Sequence, residues 1–294
     1  MTWASGTALV TGASGGIGEV YARRLHAAGQ DVVLVARRAS RLDALAGDLR
    51  TSGTGRVETL VADLAGPEGR AAVAERAAGR DVSLLVNNAG LSGYGPFAEA
   101  EPEVLEQVVS LNVLALTLLS RAAVPAMLAR GSGAVVNVAS LLAFSGALPP
   151  GPLPHRATYA GTKAFVVAFS RTLAEELRGT GVTVQACCPG YTSTEFHLTS
   201  GTEPVPDEAL LARGDEPGAM SAEDVVTASL AALRTGEVVC APGLNDPTAV
   251  DRLTAAEAEL RRASRPQLAA RYREPADDRA RWAAGRDRPA RPVV

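Results

Sequence analysis

The chain has 294 residues, 47% of them hydrophobic but only 4% aromatic, and a formal net charge of −3 with acids and bases interspersed. That length suits one large α/β domain with an appendage, its core built of Ala, Val and Leu, and the balanced charge excludes the basic footprint of a nucleic-acid binder. No apolar run reads as long enough to span a bilayer, the N-terminus lacks a basic signal region, and Cys187, Cys188 and Cys240 have neither disulfide nor metal spacing, so a soluble cytoplasmic protein without membrane or metal partners is expected.

In chain order, short runs rich in β-branched residues predict strands over 7–11, 32–36, 57–61, 83–86, 134–139, 182–187 and 237–240. Helical periodicity fills the stretches between them, near 17–28, 40–52, 67–79, 102–130, 158–179 and 222–235. This alternation builds βαβ units and so a parallel sheet covered on both faces. Two segments depart from it. Residues 145–157 carry four prolines and can be neither helix nor central strand. After an amphipathic helix over 250–273, the chain turns to Arg, Asp, Ala and Pro with little to bury, which predicts a loosely docked tail. The expected organisation is a domain over 1–245, then a helical extension and Arg-rich tail over 246–294.

The first strand ends in Thr11-Gly12-Ala13-Ser14-Gly15-Gly16-Ile17-Gly18 and opens directly into a helix. Glycines at such a turn let the backbone approach a pyrophosphate, which then rests on the positive helix N-terminus. A second signal is Lys163, one lysine set against 28 arginines, four residues after Tyr159. On a helix the two share a face. An ammonium beside a phenol favours phenolate, lowering the tyrosine pKa from about 10 and making Tyr159 a usable general acid–base. Further on, Asp63-Leu64 follows the third strand and Asn87-Asn88-Ala89-Gly90 the fourth. Asn112 lies within the long helix, Ser140 ends the fifth strand, and Pro189-Gly190-Tyr191-Thr192-Ser193-Thr194 follows the sixth.

In this order and spacing the motifs resemble the short-chain dehydrogenase/reductase family over residues 5–200. The resemblance implies an α/β fold of Rossmann type, a doubly wound, seven-stranded parallel sheet with helices on both faces, assembled as a homodimer or homotetramer. It also implies a catalytic set of Ser140, Tyr159, Lys163 and Asn112. Tyr159 would give a proton to a carbonyl oxygen that Ser140 holds. Lys163 would tune the tyrosine and bind the nicotinamide ribose, and Asn112 would hold a water for proton resupply. For the cofactor, the resemblance puts Gly12, Ser14, Gly16, Ile17 and Gly18 on the phosphates and Asp63, with Leu64 beside it, on the adenine. Asn88, Ala89 and Gly90 would follow the ribose and pyrophosphate. Pro189, Gly190, Thr192 and Thr194 would surround the carboxamide and phosphates.

A site for NAD places an acid at the end of the second strand. Here Ala36 is followed by Arg37 and Arg38, which suit the 2′-phosphate of NADP(H), Arg37 first and Arg38 in support. Eighteen residues, 141–158, separate Ser140 from Tyr159, six more than is usual in the family. The segment 145–157 is therefore expected as a stiff loop that partly roofs the substrate pocket. Ser145 stands nearer the usual spacing, but Ser140 ends its strand in Asn137-Val138-Ala139-Ser140, and His155 reads as an exposed loop residue. The pocket is expected from Leu91, Tyr94, Leu142, Phe144, Tyr191, Phe196 and His197, with 195–220 as a lid. The reading is NADPH-dependent reduction of an apolar ketone or aldehyde, the small-molecule partner. Two alternatives stay open: the same site oxidising a secondary alcohol with NAD or NADP, and a non-catalytic NADP(H)-binding sensor or scaffold.

Overall fold

Valine, leucine and alanine runs place seven strands side by side, and the computed structural model describes them within residues 5–149, 155–194, 196, 219–246 and 248–273. The strands are β1 (Thr7–Thr11), β2 (Asp31–Ala36), β3 (Val57–Val61), β4 (Val82–Asn87), β5 (Gly133–Val138), β6 (Val182–Cys187) and β7 (Val239–Cys240). They form one sheet in the order β3-β2-β1-β4-β5-β6-β7, every pair parallel. β1, β4 and β5 are buried at every position, as continuous apolar strands must be when helices cover both faces. On one face α1 (Gly16–Ala27), α2 (Ala39–Ser52) and α7 (Ala222–Thr235) bury Tyr21, Leu42, Leu49 and Val225 against Val10, Leu34 and Val136. On the other, α3 (Pro67–Ala77) and α5 (Leu116–Arg130) bury Val73, Leu119 and Met127 against Leu9, Val33 and Val135. This is the doubly wound Rossmann-type sheet. Strand order reverses between β1 and β4, which opens a crevice at the carboxyl ends of the strands.

The helix over 102–130 is not uniform. It runs as α4 (Pro102–Val109), a π-helical segment Ser110–Ala115, and then α5. By length and composition alone it could cross a bilayer, with a mean hydropathy of 1.6 in its most apolar window. That corrects the expectation that no apolar run is long enough. Part of it is nevertheless core: Leu119, Ala123 and Met127 are buried in the helix–sheet layer, while Leu114, Leu118 and Leu128 are exposed.

A line of polar side chains crosses this apolar interior. Asn87 of β4 and Asn137 of β5 lie opposite one another in register. Asn87 Nδ2 donates to Asn137 Oδ1 at 2.9 Å and to Ser120 Oγ at 3.1 Å, and Asn137 Nδ2 donates to Ser170 Oγ at 2.9 Å. Ser120 lies on α5 and Ser170 on α6 (Ala157–Glu176), so the two strands and both helices share one network.

At the opposite end of the sheet Asp81 accepts from Thr7 Oγ1 at 2.7 Å and pairs with Arg76, which also forks onto Glu58. Arg76 chiefly holds the Asp81 carboxyl down to about 2. Because the folded pKa lies below the unfolded one, the stabilisation is full above the ordinary aspartate range and is lost as pH falls through about 2. Asp81→Asn is expected to lower stability at neutral pH by at most about 1 kcal/mol, since the pair is half exposed to screening solvent. Urea melts should show the gap to wild type narrowing at about pH 3, and a gap that stays constant with pH would contradict this account.

The chain divides into two compact units, the first ending at Leu244 and the second beginning at Asn245. The described part of the second unit holds α8 (Thr248–Ala263), whose first turn is closed by Arg252 on Asp246 at 3.0 Å.

Candidate active site

β1 delivers the chain to the crevice through Gly12 and Gly16, whose φ angles of +66° and +55° are open to glycine and rarely to other residues. A Cβ on Gly12 would stand 2.7 Å from Asn88 Nδ2, and one on Gly16 3.1 Å from Thr194 Cγ2. Gly18 lies behind the cavity wall, where a Cβ would meet Gly12 O at 2.3 Å. No side chain caps the first turn of α1, so its amides are left for another acceptor. The loop is thus a bare cradle at a helix N-terminus, and it fits the phosphates of a dinucleotide. Thr11, which the sequence reading passed over, braces it. Its Oγ1 accepts from Asn88 N at 2.9 Å and Ala89 N at 3.0 Å, while Asn88 Nδ2 donates back to Thr11 O at 2.9 Å.

The crevice widens into a cavity of about 570 Å³. Ser14, Ile17, Asp63 and Leu64 line it toward the glycine loop, Ser140, Tyr159 and Lys163 line it toward α6, and Ala89, Gly90, Pro189, Gly190, Thr192 and Thr194 complete the wall. Of the expected substrate pocket, Leu91, Tyr94, Leu142, Tyr191 and Phe196 lie on the wall. Phe144 does not: it ends a 3₁₀ turn over Leu141–Phe144, is 42% exposed, and is absent from the lining, where Leu141 takes part instead. His197 and most of the expected lid over 195–220 fall outside the described residues. Met220 closes this end through a parallel bridge to Thr192.

Beyond β2, Arg37 is exposed and Arg38 half-buried, and both line the cavity. Arg38 is the one laid along the glycine loop, donating from Nη2 to Ser14 Oγ at 3.0 Å and to Ser14 O at 3.1 Å. Arg41 approaches the same place, its Nη1 3.8 Å from where a Gly15 Cβ would stand.

At the other end Tyr159 and Lys163 share one face of α6, both buried. Lys163 Nζ donates to Val138 O at 2.8 Å and lies 5.6 Å from the centroid of the Tyr159 ring. Burial lowers the ammonium to about 8. It also pushes the Tyr159 phenol up to about 12, against hydrogen bonds from Ser140 and Tyr94 that pull it down. This reverses the expected direction, because desolvation of the phenolate outweighs the other influences on it. Ser140 caps the turn that follows it, its Oγ accepting from Leu142 N at 3.1 Å. Ser145 is occupied elsewhere: its Oγ accepts from Arg156 Nε at 2.8 Å and donates to Leu142 O at 2.7 Å.

Asn112 sits in the π-helical segment, buried behind the cavity. Its Oδ1 accepts from Leu91 N and its Nδ2 donates to Leu91 O, both at 2.9 Å, with a further bond from Nδ2 to Thr162 Oγ1 at 3.1 Å. Thr162 Oγ1 in turn donates to Tyr159 O. Asn112 thus ties the loop after β4 to the helix that carries Tyr159.

Residues 6–203 match the family model of the short chain dehydrogenases. The chain belongs to that family. This short-chain dehydrogenase is 36% identical over 243 residues to galactitol 2-dehydrogenase (L-tagatose-forming) of Cereibacter sphaeroides, covering 80% of the chain and 93% of that protein. It is 35% identical over 216 residues to a short chain dehydrogenase of Pseudocercospora fijiensis, covering 72% of the chain and 65% of the length of that protein. Among solved structures, a short-chain dehydrogenase from Sphingobium yanoikuyae in complex with NADPH superposes with a TM-score of 0.82 at 37% identity, covering 91% of this chain and all of that one. The bulky-bulky ketone specific alcohol dehydrogenase of Comamonas testosteroni superposes at 0.79 and 31% identity, covering 91% and 98%. The protein is therefore an oxidoreductase of the short-chain dehydrogenase family.

Proposed function

We propose that this oxidoreductase uses NADP(H) and reduces an apolar ketone or aldehyde to the alcohol, with Tyr159 as proton donor. The observation that carries the proposal is the meeting, in one cavity, of an arginine-flanked phosphate cradle and a buried phenol beside Lys163. The cofactor, when bound, supplies hydride to the carbonyl carbon. The phosphates would rest on the amides of residues 12–18, and the 2′-phosphate on Arg38, joined by Arg37 and Arg41, since a guanidinium grips a phosphate in two places. Ser140 would hold the carbonyl oxygen. Tyr159, protonated at neutral pH, would release its proton to that oxygen, a state that favours reduction. Leu91, Leu142, Tyr94 and Phe196 would exclude water and favour an apolar substrate. The ketone-specific and NADPH-bound structures cited above support substrate class and cofactor alike.

The test is turnover of NADPH and of NADH against aliphatic, aromatic and bulky ketones and aldehydes, with Arg38→Ala alongside wild type. Losing one bidentate charge-assisted contact should weaken NADPH binding about 10- to 100-fold and leave NADH binding unchanged. Equal losses for both cofactors would move the 2′-phosphate away from Arg38. Silence across the panel, with NADPH still bound, would favour the non-catalytic reading.

A further inference from the structure

The phenol of Tyr159 has a second phenol against it. The Tyr94 ring stands edge-on to the Tyr159 ring, centroids 5.2 Å apart and planes at 74°. Tyr94 is buried and lines the same cavity. Its placement is fixed from two sides. It lies between Gly93 and Gly95, at φ +55° and +146°, conformations that let the chain double back and that other residues rarely adopt. A Cβ at Gly93 would fall 2.6 Å from Val108 Cγ2, so the loop also packs tightly on α4. Gly95 N donates to His155 O at 3.0 Å, fastening the loop to the chain just ahead of α6, the helix that carries Tyr159. The contact is more than packing between distant walls, because both rings line one cavity and set two phenols of the site side by side.

We infer that Tyr94 is a positioning residue of the proton-transfer centre, its phenol O–H donating to the Tyr159 oxygen and stabilising that oxygen once its proton has left. The inference rests on the proposed role of Tyr159 as proton donor. In the step, the Tyr159 O–H bond breaks, its proton joins the oxygen of the carbonyl being reduced, and the resulting phenolate keeps the hydrogen bond from Tyr94. Tyr94 retains its own proton throughout.

Other charged or titratable groups surround the pair. Lys163 lies over the Tyr159 ring, and Cys187 and Cys188 influence Lys163 from the end of β6. On the Tyr94 side stands Arg156, buried and donating to Ser145 Oγ, Ser145 O and Leu148 O at 2.8–2.9 Å. That guanidinium ties the start of the Pro-rich insertion to the base of α6, beside the tyrosine pair.

The test is Tyr94→Phe, which removes one hydroxyl and keeps the ring. In reduction of the best carbonyl substrate, the basic limb of the kcat/KM profile reports loss of the Tyr159 proton. It should move to higher pH by about one unit, and the acidic limb of the reverse reaction should move the same way. Tyr94→Gln, which returns an N–H donor, should bring the limb part of the way back. A second readout needs neither cofactor nor substrate. The protein has five tyrosines, and with the hydroxyl-bearing ring carbon labelled for NMR, Tyr94→Phe and Tyr159→Phe each delete and so assign one resonance. In Tyr94→Phe the Tyr159 resonance should shift. An unmoved pH limb together with an unmoved Tyr159 resonance would overturn the inference and leave Tyr94 as pocket wall, as would an effect confined to KM. Tyr159→Phe separates the two claims: if it keeps turnover, the proton-donor reading itself fails, whatever Tyr94 does. Should Tyr94→Phe not fold, Tyr94→Leu, which also lacks a donor, carries both readouts.

Discussion

Tyr159→Phe is expected to lower turnover by about 10²- to 10⁴-fold, the range for removing a positioned acid–base group, while NADPH binding stays within about threefold of wild type. The reasoning is steric as well as chemical. Phenylalanine keeps the ring that packs against Tyr94 and Phe196, so the cavity wall and its neighbours stay where they are. Only the hydroxyl is lost, on a ring that Lys163 Nζ still overlooks. Paired measurements of kcat and of NADPH affinity by calorimetry decide the matter. Turnover within about tenfold of wild type would remove Tyr159 from the chemistry. Loss of NADPH binding together with turnover would mean that the hydroxyl itself holds the cofactor.

The second large effect is expected far from any reacting atom. In Gly18→Ala the new methyl carbon would stand 2.3 Å from Gly12 O and 2.5 Å from Asn88 Nδ2. Both neighbours are held: Asn88 Nδ2 donates to Thr11 O, and Gly12 sits at a positive φ. Neither can retreat without opening the glycine loop between β1 and α1. Overpacking of this kind costs about 1–3 kcal/mol, and NADPH affinity should fall by at least about tenfold. Gly47→Ala is the contrast. Gly47 lies within α2 with open space where a Cβ would be, so alanine there should stabilise by about 0.5–1 kcal/mol. Thermal melts and NADPH titrations of the two variants should diverge in sign, and a silent Gly18→Ala would show that the loop yields.

What could be read in the sequence was what short-range chemistry dictates. Helix 222–235 was readable to its ends because Ser221 caps it by accepting from Asp224 N and Gly236 ends it at φ +76°. β1 and β6 likewise run as predicted between turn residues. β7 shrank to Val239–Cys240 because an edge strand is set by its partner β6, not by its own pattern. In the site, the residue types of the resemblance gather round one cavity, but their relations depend on long-range packing. No local pattern distinguishes Arg38, laid along Ser14, from Arg37 beside it. None announces the π-helical segment that turns Asn112 toward Leu91, and none puts Phe144 outside the wall. The phenol's direction of shift was misread for the same reason. Spacing of four residues puts a charge nearby, whereas the weight of burial depends on everything packed around it.

The amide pair Asn87–Asn137 has a mechanical meaning for the site. A slip of one residue between β4 and β5 would turn one amide toward the opposite face and strand both in hydrocarbon, together with the serines that receive them. The pair therefore acts as a register pin. Two loops that line the cavity spring from just beyond it, one at Asn88–Gly90 and one at Ser140. Their relative height above the sheet is set below the floor of the cavity, so substitutions at Asn87 or Asn137, which do not line it, should shift the two loops against each other.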